Sequence, residues 1–534
     1  MKKKKSLQDL TQNNDALPTI RFHSDNVAAT IDELEAKLYA ANAPIYVRAG
    51  VLVQPLWADL RNAKGNKVKS SYFKPITYKN LAYMLTKHVA TFEKFNLTQD
   101  EWVGCVPPEI VLNGLLELGH WKFPRVTGII NAPTLRPDGS IIDVKGYDAS
   151  TQLYYEPDNN IVLPPIPQRP SKDEAHAALE KLKALLVEVP FVSDLDRAVA
   201  LAAILTAVAR GGFGVAPMIL FLAHEAGSGK SYLVDLISAI IRGRDAPVIA
   251  GSAAKEEMEK RIGSLLLEGT PFISFDNLTG DLEGEVLCQM CTQTTVRVRI
   301  LGKSEAPECE WRGVLCATGN NVRLKGDMTR RGLICNLDPG VERPEQRTFK
   351  QDPICAVAAD RGAYLAAALT VVRGYLASGK KVECTSIGSY GGWSRFVREP
   401  LIWLDEEDPV KSMDQARADD PERGADSELI EYWREHCGVN QAHKANQVIE
   451  IATAKRSSGV MVVGAPDWVY TLPEFQALLV ANAYAPNRRD VDPQKFGAWL
   501  RRLQGKVIGG HRLMAETKSK GHGNSWLLQP VETK

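Results

Sequence analysis

The chain has 534 residues, 44% of them hydrophobic and 24% charged, and 65 Lys+Arg against 64 Asp+Glu leave a net charge of +1. These values fit a globular protein of several domains and exclude a uniformly basic chain, so any attraction to nucleic acid has to be local. No apolar run reaches the ~18–20 residues that span a bilayer, and nine scattered cysteines suit a reducing interior better than a disulfide framework. A cytoplasmic location with no membrane partner is expected.

Residues 1–18 open "MKKKKSLQDLTQNND", basic and then polar, without the apolar centre of a secretory signal; a disordered basic tail is expected. From 19 to 165 short strands alternate with helical stretches, which reads as an α+β N-terminal domain, with Pro137-Asp138-Gly139 turning between two strand-like runs. The proline-rich "NNIVLPPIPQRPSKDE" reads as a linker. Two helices follow, and the second, "DLDRAVALAAILTAVARGG", is apolar nearly all round and so predicted to be buried. Strand and helix then alternate, giving an α/β domain with helical flanks over 170–405. Residues 406–464 read as an acidic connector with helices, and 465–534 as a separate C-terminal unit. Cys288 and Cys291 sit in the helical "GEVLCQMCTQ" with no second pair at zinc spacing, so two packed thiols are expected.

The chemistry concentrates around "PMILFLAHEAGSGKSYLVDLISAIIRG", an apolar strand, a tight turn, a Lys-Ser pair and an amphipathic helix. A phosphate-binding loop needs inward backbone N–H groups, a helix N-terminus, a lysine for the β- and γ-phosphates and a hydroxyl for Mg²⁺. Ala226, Gly227, Ser228, Gly229, Lys230, Ser231 and Tyr232 are the candidate nucleotide-binding segment, with Gly227 and Gly229 able to take positive φ. His224 occupies the place of the first glycine in G-x-x-x-x-G-K-S/T, and is expected to point away from phosphate. Downstream, "TPFISFDNL" reads as a buried strand ending in Asp276, a carboxylate able to face Mg²⁺ opposite Ser231. "GVLCATGNN" reads as another, ending in Asn320 and Asn321, where an amide can orient an attacking water; "KGDMTRRGLICNLD" then presents Arg330 and Arg331.

The series "HEAGSGKS", "FISFDN", "LCATGNN" and "DMTRR" resembles the AAA+ ATPases, and within them the superfamily 3-like replicative helicases of phages, plasmids and integrative elements. Upstream, "LRPDGSIIDVKGYDASTQLYY" resembles the region before the helicase core in mobile-element primase-helicases, so the likeness covers about 20–405. It implies an αβα P-loop core with a mostly parallel sheet, ATP and Mg²⁺ as cofactors, and a homo-oligomeric ring, usually a hexamer, with ATP between subunits. Lys230 and Ser231 would form Walker A, Asp276 Walker B and Asn320 sensor 1, with Arg330 or Arg331 as arginine finger. One departure matters: Walker B normally carries a second acid, and here Asn277 follows. An amide can place water but cannot take its proton, so either another carboxylate such as Glu257 serves or hydrolysis is slow.

For nucleic acid, "TTVRVRILGKSEAPECEWRG" reads as a hairpin with Lys303 at its tip and Arg297 and Arg299 on one face. The resembling helicases project a hairpin here into the ring pore; the plainer reading is an ordinary hairpin with solvated charges. From Ala481 onward ten Lys/Arg face four Asp/Glu, a local basic patch. Two helices and a basic hairpin there resemble a winged helix, with Arg501 and Arg502 on the recognition helix and Arg512, Lys518 and Lys520 on the wing, binding DNA or a protein. The expected function is an ATP-driven helicase or translocase on single-stranded and forked DNA, replicating a mobile element near a bacterial nucleoid, with priming from a separate primase or initiator where needed. The rivals are an ATP-gated DNA-binding switch without processive unwinding, and a metabolic P-loop enzyme.

Overall fold

The computed structural model describes residues 17–61, 65, 67–158, 161–251, 255–297, 307–418, 420–462, 465–485, 490–516 and 525–531. The predicted basic tail falls almost wholly outside them. Two compact units emerge, one of residues up to Val322 with Arg330–Met413, the other of Arg323–Thr329 with the chain from Asp414.

The first unit opens with β1 (Thr19–Phe22), α1 (Val27–Ala40), β2 (Tyr46–Arg48), β3 (Val51–Arg61), β4 (Lys67–Pro75), α2 (Tyr78–His88), β5 (Thr91–Asn96), β6 (Glu101–Cys105) and α3 (Glu109–Glu117). Two three-stranded sheets, β1-β5-β6 and β2-β3-β4, form here. The apolar faces of α1, α2 and α3 meet through Leu34, Leu38, Leu81, Leu85, Leu112 and Leu115, all buried.

Next come α4 (Lys172–Ala184) and α5 (Asp194–Val208). A capping box starts α4, the Ser171 hydroxyl accepting from Glu174 N at 3.1 Å while the Glu174 carboxylate accepts from Ser171 N at 2.8 Å. Every residue of α5 from Ala198 to Val208 is buried, as its all-round apolarity predicts.

Around α5 lies a five-stranded parallel sheet with its helices. The chain runs β7 (Met218–Ala223), α6 (Lys230–Arg242), β8 (Val248–Ala250), α7 (Lys255–Glu268), β9 (Phe272–Leu282), α8 (Glu285–Thr292), the short pair β10 (Thr295–Arg297) and β11 (Glu308–Glu310), β12 (Val314–Leu324), β13 (Gly332–Leu337), α9 (Pro353–Ala359) and α10 (Arg361–Ser378). The spatial order is β8-β9-β12-β7-β13, with β7 parallel to β12 and β13, and β8 parallel to β9. β7 is buried along its whole length, as a central strand covered on both faces must be. Its Ile219 and Phe221 share a core with Leu201 and Leu205 of α5, Leu236 and Ile240 of α6, and Leu369 and Val372 of α10.

This order determines where a site can form. From β7 the chain crosses to the edge strand β8, returns through β9 and β12 to lie beside β7, then passes to β13 on β7's other side. The order therefore reverses at β7, and the carboxyl end of a strand at such a switch point is where parallel sheets leave an open crevice.

β9 and β12 differ from the sequence expectation. Asp276 and Asn320 are not strand ends: pairing continues to Leu282 and Leu324, but the unbroken run of buried residues ends just before Asp276 and Asn320, and beyond them buried and exposed residues are interspersed. The residues after them, Asn277 and Asn321, take φ of +56° and +54°, so the strands turn there without breaking.

The second unit places α11 (Pro421–Tyr432), β14 (Ala442–Lys444), α12 (Ala445–Ala452), α13 (Pro473–Ala483), α14 (Pro493–Leu503), β15 (His511–Glu516) and β16 (Ser525–Pro530) on one core. Leu429 and Trp433 pack there with Val448, Leu479, Trp499 and Leu528. Helices that the sequence reading assigned to a connector ending at 464 thus share a core with the segment beyond it. β14 pairs antiparallel with β16, and β16 with β15. Among the described residues no single helix is long and apolar enough to cross a membrane.

A buried guanidinium ties the N-terminal strands to the sheet's helices. Arg48 at the end of β2 donates to Val126 O at 3.1 Å, Thr127 O at 2.6 Å, Leu267 O at 3.1 Å, Glu310 O at 3.3 Å and Leu266 O. Two of these carbonyls belong to the last turn of α7, where the helix dipole and unpaired C=O groups favour a cation. Burial lowers the Arg48 pKa from the usual arginine value. Arg48→Ala would leave these carbonyls without their donor, so a loss on the order of 3 kcal/mol is expected, read as a lower denaturation midpoint; an unchanged midpoint would show the two regions to be held otherwise.

Candidate functional site

The site is built where β7, β9 and β12 reach the switch point. After Ala223, Gly227 at φ +75° and Gly229 at φ +96° close a tight loop into α6. Both glycines are in the left-handed region, as the sequence predicts, and a Cβ on Gly227 would come within 3.1 Å of Glu345 N. Lys230 is the first residue of α6 and only 8% exposed. Its ammonium folds back over the loop, donating to Glu225 O at 2.8 Å and Ser228 Oγ at 2.9 Å. Burial lowers the Lys230 pKa and the Asp276 charge opposes that, so an anion in the loop would relieve the cost of burying this cation.

Asp276 gathers the other elements. Its Oδ1 accepts from Ser231 Oγ at 2.9 Å and from Thr318 Oγ1 at 2.5 Å. Thr318 in turn accepts from Asn277 N at 3.0 Å. Three segments distant in sequence are thus joined at one carboxylate oxygen. Thr318 is 2% exposed and was not singled out in the sequence, although a hydroxyl two positions before Asn320 on the same strand was the available signal.

Asn320 lies beside Ala223 in the β7–β12 register, with its side-chain Oδ1 buried and without a hydrogen-bond partner among the described residues. His224 turns to Asn321, with His224 Nδ1 3.0 Å from Asn321 Oδ1. The residue in place of the first glycine therefore bridges the loop to the neighbouring strand. Beside it His224, Glu225 and residues 337–342 line an open depression of about 340 Å³.

Other candidates are placed differently. The Tyr232 hydroxyl donates to Asp352 at 3.0 Å and accepts from Ile354 N at 3.0 Å, at the start of α9, so it braces that helix; its pKa is pushed up to about 12, chiefly by burial. Arg330 is exposed, whereas Arg331 is half-buried, near Cys291 and Tyr390, and its carbonyl accepts from Met218 N at 2.9 Å. Cys288 and Cys291 lie on α8 and form no disulfide with a described residue. Glu257 is exposed on α7 and pairs with Arg261 at 3.2 Å. A carboxyl not singled out in the sequence, Asp235, lies one turn along α6 from Ser231; burial first, and then the charges of Asp245 and Asp276, raise its pKa against the lowering effect of the bond it accepts from Ala246 N.

The basic hairpin has its expected base: β10 pairs antiparallel with β11, Arg297 opposite Glu308. Those two side chains pair at 3.3 Å on an exposed surface, so Arg297 is partly neutralised. Arg299 and Lys303, the latter expected at the tip, lie outside the described residues. In the second unit Arg501 is exposed on α14 and Arg512 on β15, while Lys518 and Lys520 lie outside the described residues. Arg502, also exposed, pairs with the buried Asp426 at 3.1 Å, an acid that also accepts from Trp499 Nε1 at 2.7 Å.

Asn277 now has a physical account. At φ +56° a longer side chain such as Glu is strained, whereas Asn is among the few residues that adopt this conformation readily. Asn277→Gly is therefore expected to keep the thermal midpoint, while Asn277→Val should cost roughly 1–2 kcal/mol; equal midpoints for the two would remove the conformational reading.

No protein-family model matches the chain, and no curated protein matches it. Among solved structures it is similar to the A form apo structure of the NrS-1 C-terminal region, 11% identical with a TM-score of 0.38, over 76% of this chain and 80% of that one. A second structure of that region, also the A form without ligand, is 10% identical with a TM-score of 0.36, over 78% of this chain and 94% of that one.

Proposed function

We propose that the first unit is an AAA+ P-loop ATPase core and that the protein is an ATP-dependent DNA helicase or translocase, working as a ring in replication of a mobile genetic element. The observation that carries this is the convergence of Lys230, Ser231, Asp276, Thr318 and Asn320 at the switch point of a parallel sheet, behind a glycine turn that opens a helix. A turn of this kind presents backbone N–H groups and a helix N-terminus to phosphate.

The donor set fits a hydrated Mg²⁺. Mg²⁺ in nucleotide sites takes one or two carboxylates plus phosphates and water, and here one carboxylate, Asp276, lies within hydrogen-bond reach of the Ser231 hydroxyl. Ser231 and Asp276 would hold it, and it would supply neutralisation of the phosphate charge. Lys230 would turn from Glu225 and Ser228 to the β- and γ-phosphates. Asn320, with its carbonyl oxygen unengaged, would orient the attacking water. Exposed Arg330 is better suited than half-buried Arg331 to reach a neighbouring subunit's nucleotide in a hexamer. Single-stranded and forked DNA would be held by the β10–β11 hairpin through Arg297, Arg299 and Lys303, and by the second unit. There the strand β14 beside β16, and α14 before the β15–β16 hairpin, support a winged-helix reading, with Arg501, Arg512, Lys518 and Lys520 toward DNA and Arg502 held by Asp426. The working place would be the bacterial cytoplasm at the nucleoid, with a separate primase or initiator as a further partner.

One observation favours a second reading, an ATP-gated DNA-binding switch. Asn277 stands where a proton acceptor belongs, and its left-handed backbone disfavours a Glu there. ATP hydrolysis and unwinding of forked duplexes with either single-stranded tail separate the readings. Lys230→Ala should abolish both, and Arg330→Ala should lower hydrolysis by roughly 10³–10⁵ while ATP binding persists. Lys303→Ala should spare basal hydrolysis and lose unwinding. DNA-stimulated hydrolysis without unwinding of either fork would replace the helicase by the switch, and hydrolysis indifferent to DNA would remove both.

A further inference from the structure

A tryptophan on the β2-β3-β4 sheet is placed for contact with something outside the chain. Trp57 lies in the middle of β3, 53% exposed, opposite Ser71 of β4. A mid-strand Trp that packs a core is mostly buried; this one leaves half its surface in water. It is nevertheless held in place. Lys69 Nζ lies 4.7 Å and Lys145 Nζ 5.5 Å from the indole centroid. Both ammonium groups bond the same oxygen of Glu156, at 2.6 Å and 2.9 Å. Glu156 is 1% exposed, and its second oxygen is buried without a hydrogen-bond partner among the described residues.

The arrangement has three consequences. Two lysines share one carboxylate, so the cluster keeps a net positive charge beside the ring. Lys145 remains 53% exposed and can reach an anion, while Lys69, 16% exposed, is committed to Glu156 and the indole. The indole orientation is set before any ligand arrives, which lowers the ordering cost of binding. Asp59, opposite Lys69 on the same face, is the acid that would limit the field there.

We propose that this face binds single-stranded nucleic acid, one unpaired base stacking on Trp57 and the adjoining phosphate lying against Lys145. A flat aromatic surface beside a cation is the general means of holding unpaired bases without reading sequence. Duplex is disfavoured because its base faces are already stacked on one another.

The test uses the full chain without nucleotide, so its result does not depend on the ATP reading. Anisotropy of a labelled oligo-dT of about 15 nucleotides is compared with oligo-rU and with a blunt duplex. Trp57→Ala should weaken oligo-dT about tenfold, a change worth about 1.4 kcal/mol, Trp57→Phe should stay within about threefold of wild type, and duplex binding should be unchanged. The same loss with oligo-rU supports a single-strand surface indifferent to the sugar. In the unmodified protein, photo-cross-linking to oligo-dT carrying 5-iododeoxyuridine should place an adduct on Trp57, a readout that needs no variant to fold. Absence of that adduct, wild-type oligo-dT affinity in Trp57→Ala, or equal losses for duplex and oligo-dT would each overturn the proposal; a face with no adduct is left to a protein partner.

Discussion

Asp276 is the point on which the candidate site depends. A carboxylate where a parallel sheet opens could face solvent, but this one accepts hydroxyls from Ser231 at the start of α6 and Thr318 on β12. Each charge-assisted bond is stronger than a neutral one, and together they set the first turn of α6 against two strands. The backbone continues the chain of bonds, since the Asn277 amide donates back to Thr318. The loop between β7 and α6 is thereby aligned with the strands that would read out its occupant.

The same constraint explains the two asparagines. Strands β9 and β12 both keep pairing past the site, yet both must turn there, and each does so through a single residue in the left-handed region. Asn tolerates that conformation, and Asn321 also engages His224. The residue at 224 is thus tied to its neighbouring strand through its side chain, and the asparagine at 277 suits its left-handed backbone. On the proposed reading the proton acceptor has to come from elsewhere.

Much of the core was legible in the sequence because its signals are local. Positive φ at Gly227 and Gly229, burial of α5 and the start of α4 all follow from residue type and short-range pattern. The less legible features are long-range. Thr318, the Arg48 carbonyl cage and the Asp426 partnership of Arg502 join residues far apart in the chain, and no spacing rule marks them. Arg501 and Arg502 are adjacent, identical in type and both exposed, and the ion pair with Asp426 is what sets Arg502 apart.

By itself, the sequence determined the strand–turn–helix unit at 217–243, the acid and amide that follow on apolar strands, and the apolar helix that the sheet buries. These are set by hydrophobic period and by backbone freedom at glycine, which act over a few residues. Tertiary structure alone decided that β12 lies between β7 and β9, which brings Asn320 beside Ala223 and Thr318 onto Asp276. It also decided that Trp57 stays half in water while two lysines near its ring share a buried glutamate. Strand order and shared burial depend on which surfaces the whole chain can cover at once, a sum over distant contacts that no local stretch contains.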